Sequence, residues 1–381
     1  MEEGSLMEKV EKIGSFEAVA FIVIVMINQI SLNIPNSILQ LVGSSAWINV
    51  IFITFLACIF CIFIYKFYKP FPNEDIIDIS EYLGGSILKS VVGIMYIFLF
   101  FEISALLLKY LSECLRLIYF PTTPILYILG FFVVATLIAT QRGISGIIRN
   151  NLILLPFMLV SIVSIFFSVA KFFVWQRGFP ILGHGFNETF LSGIYNIFAF
   201  GGFANIYFLM PMLKEKKNFK KLSIIGIVVS GLYLLISVVS LLLVFSYSTS
   251  SRQMLAIYPL TRLIEYGRFF QRIDAFYILF WIMAAFSYIS TNVILSLEIF
   301  KKITLVQSTK TMAPAFTLII LGIALSFGSV ANFKFFADTF HKYYYLFLAF
   351  IFTPLVLVLA YIKWVKKDKS KHINNGNTTH T

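Results

Sequence analysis

Two stretches of this sequence carry residues that an uninterrupted membrane helix avoids: MINQISLNIPN at residues 26–36 and FAFGGFANIYF at residues 198–208. The first places Pro35 inside an apolar run, where proline removes a backbone donor and clashes with the carbonyl four residues earlier. The second places Gly201 and Gly202 side by side. Each stretch therefore predicts a helix that is interrupted in the middle of an apolar run.

The composition around these stretches is that of a membrane protein. Of the 381 residues, 59% are hydrophobic and 13% are charged, whereas soluble domains average about 45–50% apolar and about 25% charged residues. So little charge cannot cover the surface of a soluble protein of 43.5 kDa. The composition therefore excludes a soluble enzyme and predicts an all-α polytopic membrane protein.

Ten apolar runs are long enough to cross a bilayer as helices, since a spanning helix needs about 20 residues. No alternation typical of strands persists over these lengths, and no connection is long enough to hold a domain outside the membrane. The ten predicted spans lie at about 16–41, 45–67, 88–116, 124–141, 146–171, 189–212, 219–247, 274–300, 312–332 and 342–365.

The interrupted stretches lie in the first and the sixth span, each of which begins a set of five. Paired interruptions in corresponding positions are typical of transporters built from inverted repeats. We therefore expect a membrane domain over residues 15–365, with repeats at about 15–171 and 189–332 and the tenth helix at about 342–365. Backbone groups freed at the breaks need cavity water or a ligand, because lipid cannot bind them. The alternative is two kinked helices whose free groups are met by neighbouring polar side chains.

The net charge of +12 is explained by topology. If both termini are cytoplasmic, 20 of the 30 Lys and Arg residues fall on the cytoplasmic side, as the positive-inside rule requires. Residues 1–14 are then a cytoplasmic segment, and residues 366–381 are a disordered cytoplasmic tail whose lysines are expected to contact anionic membrane lipid. The basic composition therefore does not indicate nucleic acid as a partner.

A ligand site is expected in mid-membrane, where the two interruptions meet. Glu102 adds a carboxyl near the middle of the third span, where it is costly unless it is paired, protonated or exposed to water. It is either a ligand partner or protonatable group, or else a neutral carboxyl that holds helices together. The candidate ligand-binding residues are Asn28, Gln29, Ser31, Asn33, Glu102, Phe200, Gly201, Gly202, Asn205, Ser287 and Thr291.

Two of these candidates have an equally simple structural interpretation. Ser287 and Thr291 share one face of the eighth span with Ser290, at the spacing of one helical turn. Small polar residues at this spacing usually mediate helix packing in membranes. Their place in a ligand site therefore depends on which helices the fold brings against this face.

The sequence shows no enzyme site, metal site or cofactor motif. GISG at 143–146 matches the serine motif of intramembrane proteases, but that chemistry needs a histidine base at membrane depth. His184 and His341 are predicted in or beside outer loops, and His372 and His380 lie in the tail. No Gly-rich nucleotide loop occurs either. We therefore expect no catalytic residue, no metal and no cofactor.

Several stretches resemble a known family, the spore germination permeases, which are the B subunits of germinant receptors. This family belongs to the amino acid–polyamine–organocation transporter superfamily. The resemblance covers nearly the whole span 15–365, in order and with similar spacing. It rests on PTTP at 121–124, GISGIIRNNLILLPF at 143–157, FAFGGFANIYFLMP at 198–211 and YPLTRLIEYGRFFQRIDAFYILFWI at 258–282.

The resemblance implies ten helices in an inverted five-plus-five arrangement, with helices one and six unwound around a central site. It also implies a receptor complex in the spore inner membrane, with an A-type subunit and a lipoprotein C-type subunit, that detects amino acids, sugars or nucleosides. An ion-coupled amino acid or polyamine transporter is the alternative. A scaffold that binds no ligand and only assembles partners is the third possibility.

Two positions depart from the pattern that this superfamily implies. The Gly-x-Gly usual at the first break is replaced by Asn28 and Ile30, and the acidic residue that often follows the glycines of the sixth helix is Ala204. Backbone amides of the Gly-x-Gly hold a carboxylate in the superfamily's transporters. Its replacement favours a ligand other than an α-amino acid.

Overall fold

The computed structural model describes most of the chain, namely residues 12–250, 257–264, 273–304, 306 and 310–376. The backbone of these residues is almost entirely helical. Because a helix satisfies its backbone hydrogen bonds within one segment, it is the structure that apolar runs of this length adopt in lipid. The predicted all-α fold class is confirmed.

Fifteen α-helices lie within this part of the chain, joined by short turns. The described strand-like pairing is limited to an isolated bridge between Ile13 and Leu213. The α-helices are α1 Ser15–Ser31, α2 Ile34–Val42, α3 Ala46–Tyr68, α4 Ile76–Ile118, α5 Ile125–Thr140, α6 Gly143–Val169, α7 Phe203–Ile206, α8 Phe219–Val244, α9 Tyr247–Ser250, α10 Tyr258–Thr261, α11 Ile273–Thr304, α12 Ala313–Ser326, α13 Val330–Phe336, α14 Lys342–Leu346 and α15 Thr353–Gly376.

The described helices have the length and composition of membrane spans. Six stretches can cross a bilayer on these grounds, and the shorter apolar helices α1, α5 and α12 accompany them. Large apolar side chains on their outer faces are exposed, as expected where lipid surrounds a protein. The count of ten spans stays a prediction. The six stretches are Ile34–Tyr68, Ile76–Ile118, Gly143–Phe172, Lys216–Val244, Asp274–Thr304 and Val330–Asp368.

The first predicted span consists of two helices, α1 and α2, separated at Leu32 and Asn33. Asn33 has a left-handed backbone with φ of 71°, which asparagine tolerates better than most residues. Pro35 follows in the first turn of α2, where its missing N–H leaves no helical bond unmade. The predicted interruption of the first helix is confirmed.

The sixth predicted span is even less regular. A π-helical turn at Asn187–Leu191 leads into a 3₁₀ segment at Ser192–Phe200, and the turn at Gly201 and Gly202 precedes the short helix α7. Such 3₁₀ and π segments often mark a functional hinge inside a helix. The predicted interruption of the sixth helix is confirmed as well.

The long helix α4 forms the centre of the bundle, where it packs against α11. It is kinked at Gly84 and Gly85, and Gly85 has a φ of 69° that glycine adopts without strain. Asp75 caps the helix by accepting hydrogen bonds from two backbone N–H groups of its first turn. Lys302 of α11 binds both Asp75 and Asp78 at 2.6 Å, which fixes α4 and α11 to each other at this end.

The last helical stretch begins at Val330, well before the predicted start at residue 342. Two π-helical segments, Ala337–His341 and Phe347–Phe352, interrupt it, and it ends at Gly376. The polar residues that had suggested a loop before residue 342 lie in the first turns of this stretch. Residues 366–376 are helical, whereas a disordered tail was predicted from residue 366, since lysine-rich sequence readily extends a helix that has already formed. Residues 377–381 lie outside the described part of the chain.

The loop before the sixth span packs against the end of α2. The backbone N–H of His184 donates to the carbonyl of Val42 at 3.2 Å, and Ser44 Oγ donates to the carbonyl of Pro180 at 2.6 Å. Gly183 lies within this contact with a φ of 53°. A Cβ at this position would lie 2.1 Å from the carbonyl oxygen of Val42.

Replacing Gly183 by alanine is therefore expected to destabilise the protein by about 1–3 kcal/mol, because the new Cβ meets backbone and the left-handed φ becomes strained. Thermal unfolding of the purified chain in detergent, followed by tryptophan fluorescence, measures this. Gly130→Ala in α5 is the matched control, since its Cβ would meet nothing within 4 Å. Equal unfolding midpoints for the two variants would show that the loop does not fix the end of α2.

Candidate functional site

The two interrupted stretches lie against each other. A Cβ on Gly201 would lie 2.7 Å from Cγ of Gln29, and a Cβ on Gly202 would lie 2.7 Å from Cγ of Met26. The glycine pair thus lets the backbone of the sixth span approach α1 more closely than any other residue type would. Phe200, directly before the pair, is fully buried. The structure therefore brings together the breaks that the sequence placed in different halves of the chain.

Gln29 is the most unusual polar residue at this contact. It is completely buried, and neither Nε2 nor Oε1 of its amide has a hydrogen-bond partner among the described residues. A buried polar group left unsatisfied costs about 1–3 kcal/mol. Such a group in a native protein calls for a partner such as water or a polar ligand.

Two asparagines connect the breaks to α11. Asn28 of α1 donates from Nδ2 to the carbonyl of Ala284 at 3.0 Å, and Asn205 of α7 donates to Oδ1 of Asn292 at 3.0 Å. Oδ1 of Asn28 and Oδ1 of Asn205 have no hydrogen-bond partner within the described structure. Helix α11 is therefore in contact with both interrupted helices and would respond to a change in either.

Other predicted candidates make contacts that are local or that hold helices together. Ser287 Oγ donates to Asn151 of α6, and Thr291 Oγ1 donates to the carbonyl of Ser287 at 2.9 Å. Ser31 Oγ donates to a carbonyl one turn earlier in α1. Asn33, at the break itself, accepts a hydrogen bond from a neighbouring side chain at 2.6 Å. The contact of Ser287 joins two helices, as expected of helix packing, whereas the hydrogen bond of Thr291 lies within α11.

A small pocket lies beside the first break. The space that the centre of a water molecule can reach is about 20 Å³, enough for one or two waters. A nutrient would therefore have to widen it. Ser31 is the sole predicted candidate in the lining, whose aromatic members the sequence analysis did not select. The lining residues are Ile30, Ser31, Pro35, Tyr110, Ile118, Ile257, Tyr258, Tyr277, Ile278 and Trp281.

Glu102 of α4 faces the last helical stretch rather than the contact between the breaks. Its Oε1 lies 3.3 Å from Nδ1 of His341, and the side chains of both residues are at most 2% exposed. The prediction that His341 lies in or beside an outer loop was therefore wrong, because the helix that carries it begins at Val330. The apolar pattern gave no signal for this pair, since a lone histidine at the start of an apolar run is typical of a loop.

The other buried charges of α4 neutralise one another. Lys109 Nζ lies 3.1 Å from Glu113 Oε1, and Arg116 lies 2.8 Å from Glu113 Oε2. Lys109 also donates to the carbonyl of Gly328 at 3.1 Å, in the turn between α12 and α13. Lys109 and Glu113 therefore form a buried ion pair, and Arg116 is a third, half-exposed member of the group.

An interrupted first helix that packs on an interrupted sixth helix is an arrangement typical of the inverted-repeat fold of membrane proteins. Solved structures share the fold over most of both chains. Mhp1 in its inward-facing conformation has a TM-score of 0.62 and 16% identity, covering 91% of this chain and 76% of that chain. MhsT in complex with L-phenylalanine has a TM-score of 0.63 and 15% identity, covering 91% of this chain and 97% of that chain.

The family is more specific than the fold. The family model described as "Spore germination protein" matches residues 12–333. Spore germination protein KB of Bacillus subtilis (strain 168) is 23% identical over 348 residues, which is 87% of this chain and 91% of that protein. This chain belongs to the spore germination permease family, as the resemblance in sequence had suggested. It is an integral membrane protein of a family and fold found in receptors and transporters.

Proposed function

We propose that this chain is the membrane subunit of a spore germinant receptor, which senses a small nutrient at a mid-membrane site and triggers germination. One structural observation supports the proposal in addition to the family membership. The two interrupted helices meet at the glycine pair, and the buried amide of Gln29 beside Gly201 has no described hydrogen-bond partner. That amide is suited to bind a polar group of a nutrient.

The proposed mechanism is a shift between two arrangements of the helices around the site. A ligand shifts such an equilibrium only by its different affinity for the two arrangements. A nutrient bound to Gln29 would hold the two breaks together, and Asn28 and Asn205 would pass this restraint to α11. The proposed ligand contacts at the breaks are Asn28, Gln29, Ser31, Asn33, Phe200, Gly201, Gly202 and Asn205. Glu102, Ser287 and Thr291, which were also predicted from the sequence, would act through the helices that pack around the breaks.

The chemistry of the site favours a nutrient without a large net charge. The amides at the breaks bind neutral polar groups, and the pocket beside Ser31 is lined by aromatic and aliphatic side chains with no charged residue. Walls of this kind with a few placed polar groups are typical of sites for small molecules. Amino acids, sugars and nucleosides are the nutrient classes that the proposal includes.

The proposal also specifies the membrane, the orientation and the partner subunits of this chain. The chain would lie in the spore inner membrane with both termini cytoplasmic, in a complex with an A-type subunit and a lipoprotein C-type subunit. Its lysine-rich tail would contact anionic lipid. No catalytic residue, metal, cofactor or nucleic acid takes part.

Deleting the gene for this chain, while its A-type and C-type partner genes remain, is expected to abolish germination with one class of nutrient. The reason is that the partners would then lack the subunit that binds it. The loss of optical density of a spore suspension after addition of amino acids, sugars or nucleosides measures the response. Restoring the gene is the control. Unchanged germination with every nutrient class in the deletion strain would contradict the proposal.

The alternative is an ion-coupled amino acid or polyamine transporter, which the fold shared with Mhp1 and MhsT supports. Uptake of a labelled amino acid or polyamine into proteoliposomes that contain this chain alone distinguishes the two functions. Accumulation driven by an imposed ion gradient would favour the transporter. A receptor subunit should bind its nutrient without such accumulation.

A further inference from the structure

The pair Glu102 and His341 joins α4 to the last helical stretch. The two residues are 2% and 1% exposed, and 3.3 Å separates Glu102 Oε1 from His341 Nδ1. None of the four polar atoms of the two side chains makes a hydrogen bond of good geometry within the described structure. Two titratable groups are therefore in contact in the interior of a membrane protein and leave their remaining polar atoms unsatisfied.

Among the described ion pairs, Glu102 and His341 contact only each other. On the same stretch as His341, Asp338 interacts with Lys334 and Lys342, and these three groups together carry a net charge of +1. The nearest polar neighbours are Tyr344, which interacts electrostatically with Glu102, and Tyr345, whose ring lies 6.0 Å from that of His341.

The helices that pack around α4 contribute little charge near the pair. The sequences of α5 and α12 contain no charged residue. The charged side chains of α4 closest in sequence, Lys109 and Glu113, are bound to each other. On α11, the titratable neighbour of Tyr345 is Tyr288, which is buried. The described group of opposite ionisable type in direct contact with Glu102 is therefore His341.

The pair also touches the interrupted sixth helix. The ring of Phe198, in the 3₁₀ segment before the glycine pair, lies 5.4 Å from the ring of His341. One turn further along, Tyr345 Oη accepts a hydrogen bond of 2.9 Å from the backbone N–H of Ala204, just after the glycine pair. Two contacts therefore connect the stretch that carries His341 with the two sides of the break.

The backbone around His341 is suited to a change of shape. His341 is the last residue of the π-helical segment Ala337–His341, and a second π-helical segment occupies Phe347–Phe352. The wide turns of π segments are rare and are frequent at functional sites. Sharp kinks in helices often fall at such segments, so this stretch can bend at two places.

We propose that Glu102 and His341 form one proton-binding site, and that its occupancy is coupled to the arrangement of the interrupted sixth helix. With a neutral imidazole and an ionised carboxylate, the pair has a net charge of −1 in a medium of low dielectric constant, which is unfavourable. One proton taken up from water makes the pair neutral and allows an N–H or O–H donor between the two atoms. Loss of this proton leaves a negative charge without compensation in the interior, although the neutral imidazole can still donate one hydrogen bond. This charge drives the side chains, and with them Phe198, to new positions.

The test uses the full chain in lipid nanodiscs, without any nutrient, so that it does not depend on the proposed receptor function. Infrared difference spectra are recorded between pH 5 and pH 8, the range in which histidine titrates. A carboxyl or imidazolium signal that disappears in both Glu102→Gln and His341→Asn is expected, because a joint site needs both residues. Glu81→Gln and His184→Asn, at an exposed carboxylate and an exposed histidine, are the controls and should retain it.

Hydrogen–deuterium exchange of the segment 192–209 tests the coupling. At each pH, exchange in the wild-type protein is compared with exchange in Glu102→Gln. The difference between the two proteins is expected to change from pH 5 to pH 8. Tyr345→Phe, which removes the acceptor of the Ala204 N–H, should reduce this difference. Identical exchange in wild type and Glu102→Gln at both pH values would overturn the coupling.

The proton site itself is overturned if either single variant retains the signal of the remaining residue. If the variants do not fold, wild-type protein with ¹³C-labelled glutamate and ¹⁵N-labelled histidine decides the question. Magnetisation transfer between a carboxyl and an imidazole, with shifts that depend on pH, is the expected result in solid-state NMR. A contact whose shifts do not change between pH 5 and pH 8 would refute the site.

Discussion

Replacing Gly201 by leucine is expected to lower the nutrient response strongly while the protein remains in the membrane. Any Cβ at this position lies 2.7 Å from Cγ and 2.9 Å from Cδ of Gln29, so the leucine side chain must displace the amide proposed to bind the ligand. Overpacking of this kind costs about 1–3 kcal/mol. A loss of that size confined to the ligand-bound arrangement lowers the response about 5–150-fold.

Spore germination as a function of nutrient concentration measures this effect, and an immunoblot of the membrane fraction shows that the variant is present. Gly322→Leu is the matched control, because Gly322 is exposed on α12 and a Cβ there would meet nothing within 4 Å. Gly202→Leu should behave like Gly201→Leu, since its Cβ would contact Met26 and Val25 of α1. A normal response from a stable Gly201→Leu protein would remove the glycine pair from the site.

These glycines also show which parts of the molecule sequence can predict. Pro35 and the pair Gly201 and Gly202 act on their own backbone, through a missing donor or a missing Cβ. Their effect can therefore be predicted without knowing which residues pack against them, and both interruptions were predicted in the right spans. The ordered resemblance over the chain then identified the family, which the match to residues 12–333 confirms.

The partners of buried polar residues could not be predicted in the same way. Glu102 required a partner, but the histidine that provides it lies in another span, and its position depends on how the last helical stretch packs against α4. The end of that stretch was also misjudged, because a polar sequence can be helical when a preceding helix continues into it. The sequence also could not show that Ser287 donates to Asn151 of α6, or that Thr291 donates to a carbonyl of its own helix.

Removing the carboxylate of Glu113 is expected to have the largest effect on stability. In Glu113→Ala, Lys109 keeps a single described hydrogen bond, to the carbonyl of Gly328, and its ammonium stays 3% exposed with no counter-ion. Breaking a buried ion pair by removing one partner costs about 3–5 kcal/mol, because the remaining charge is uncompensated. Arg116 is less affected, since it is half-exposed and can reach water.

Thermal unfolding of the purified chain in detergent measures this loss, and Glu81→Ala is the matched control. Glu81 forms an ion pair of 2.8 Å with Lys89 but is 48% exposed, so its removal should cost no more than about 1 kcal/mol. The double variant Lys109→Met, Glu113→Leu should regain most of the lost stability, because an apolar pair of similar volume has no charge to desolvate. If Glu113→Ala were as stable as Glu81→Ala, and the double variant showed no recovery, the buried ion pair of Lys109 and Glu113 would not stabilise the protein.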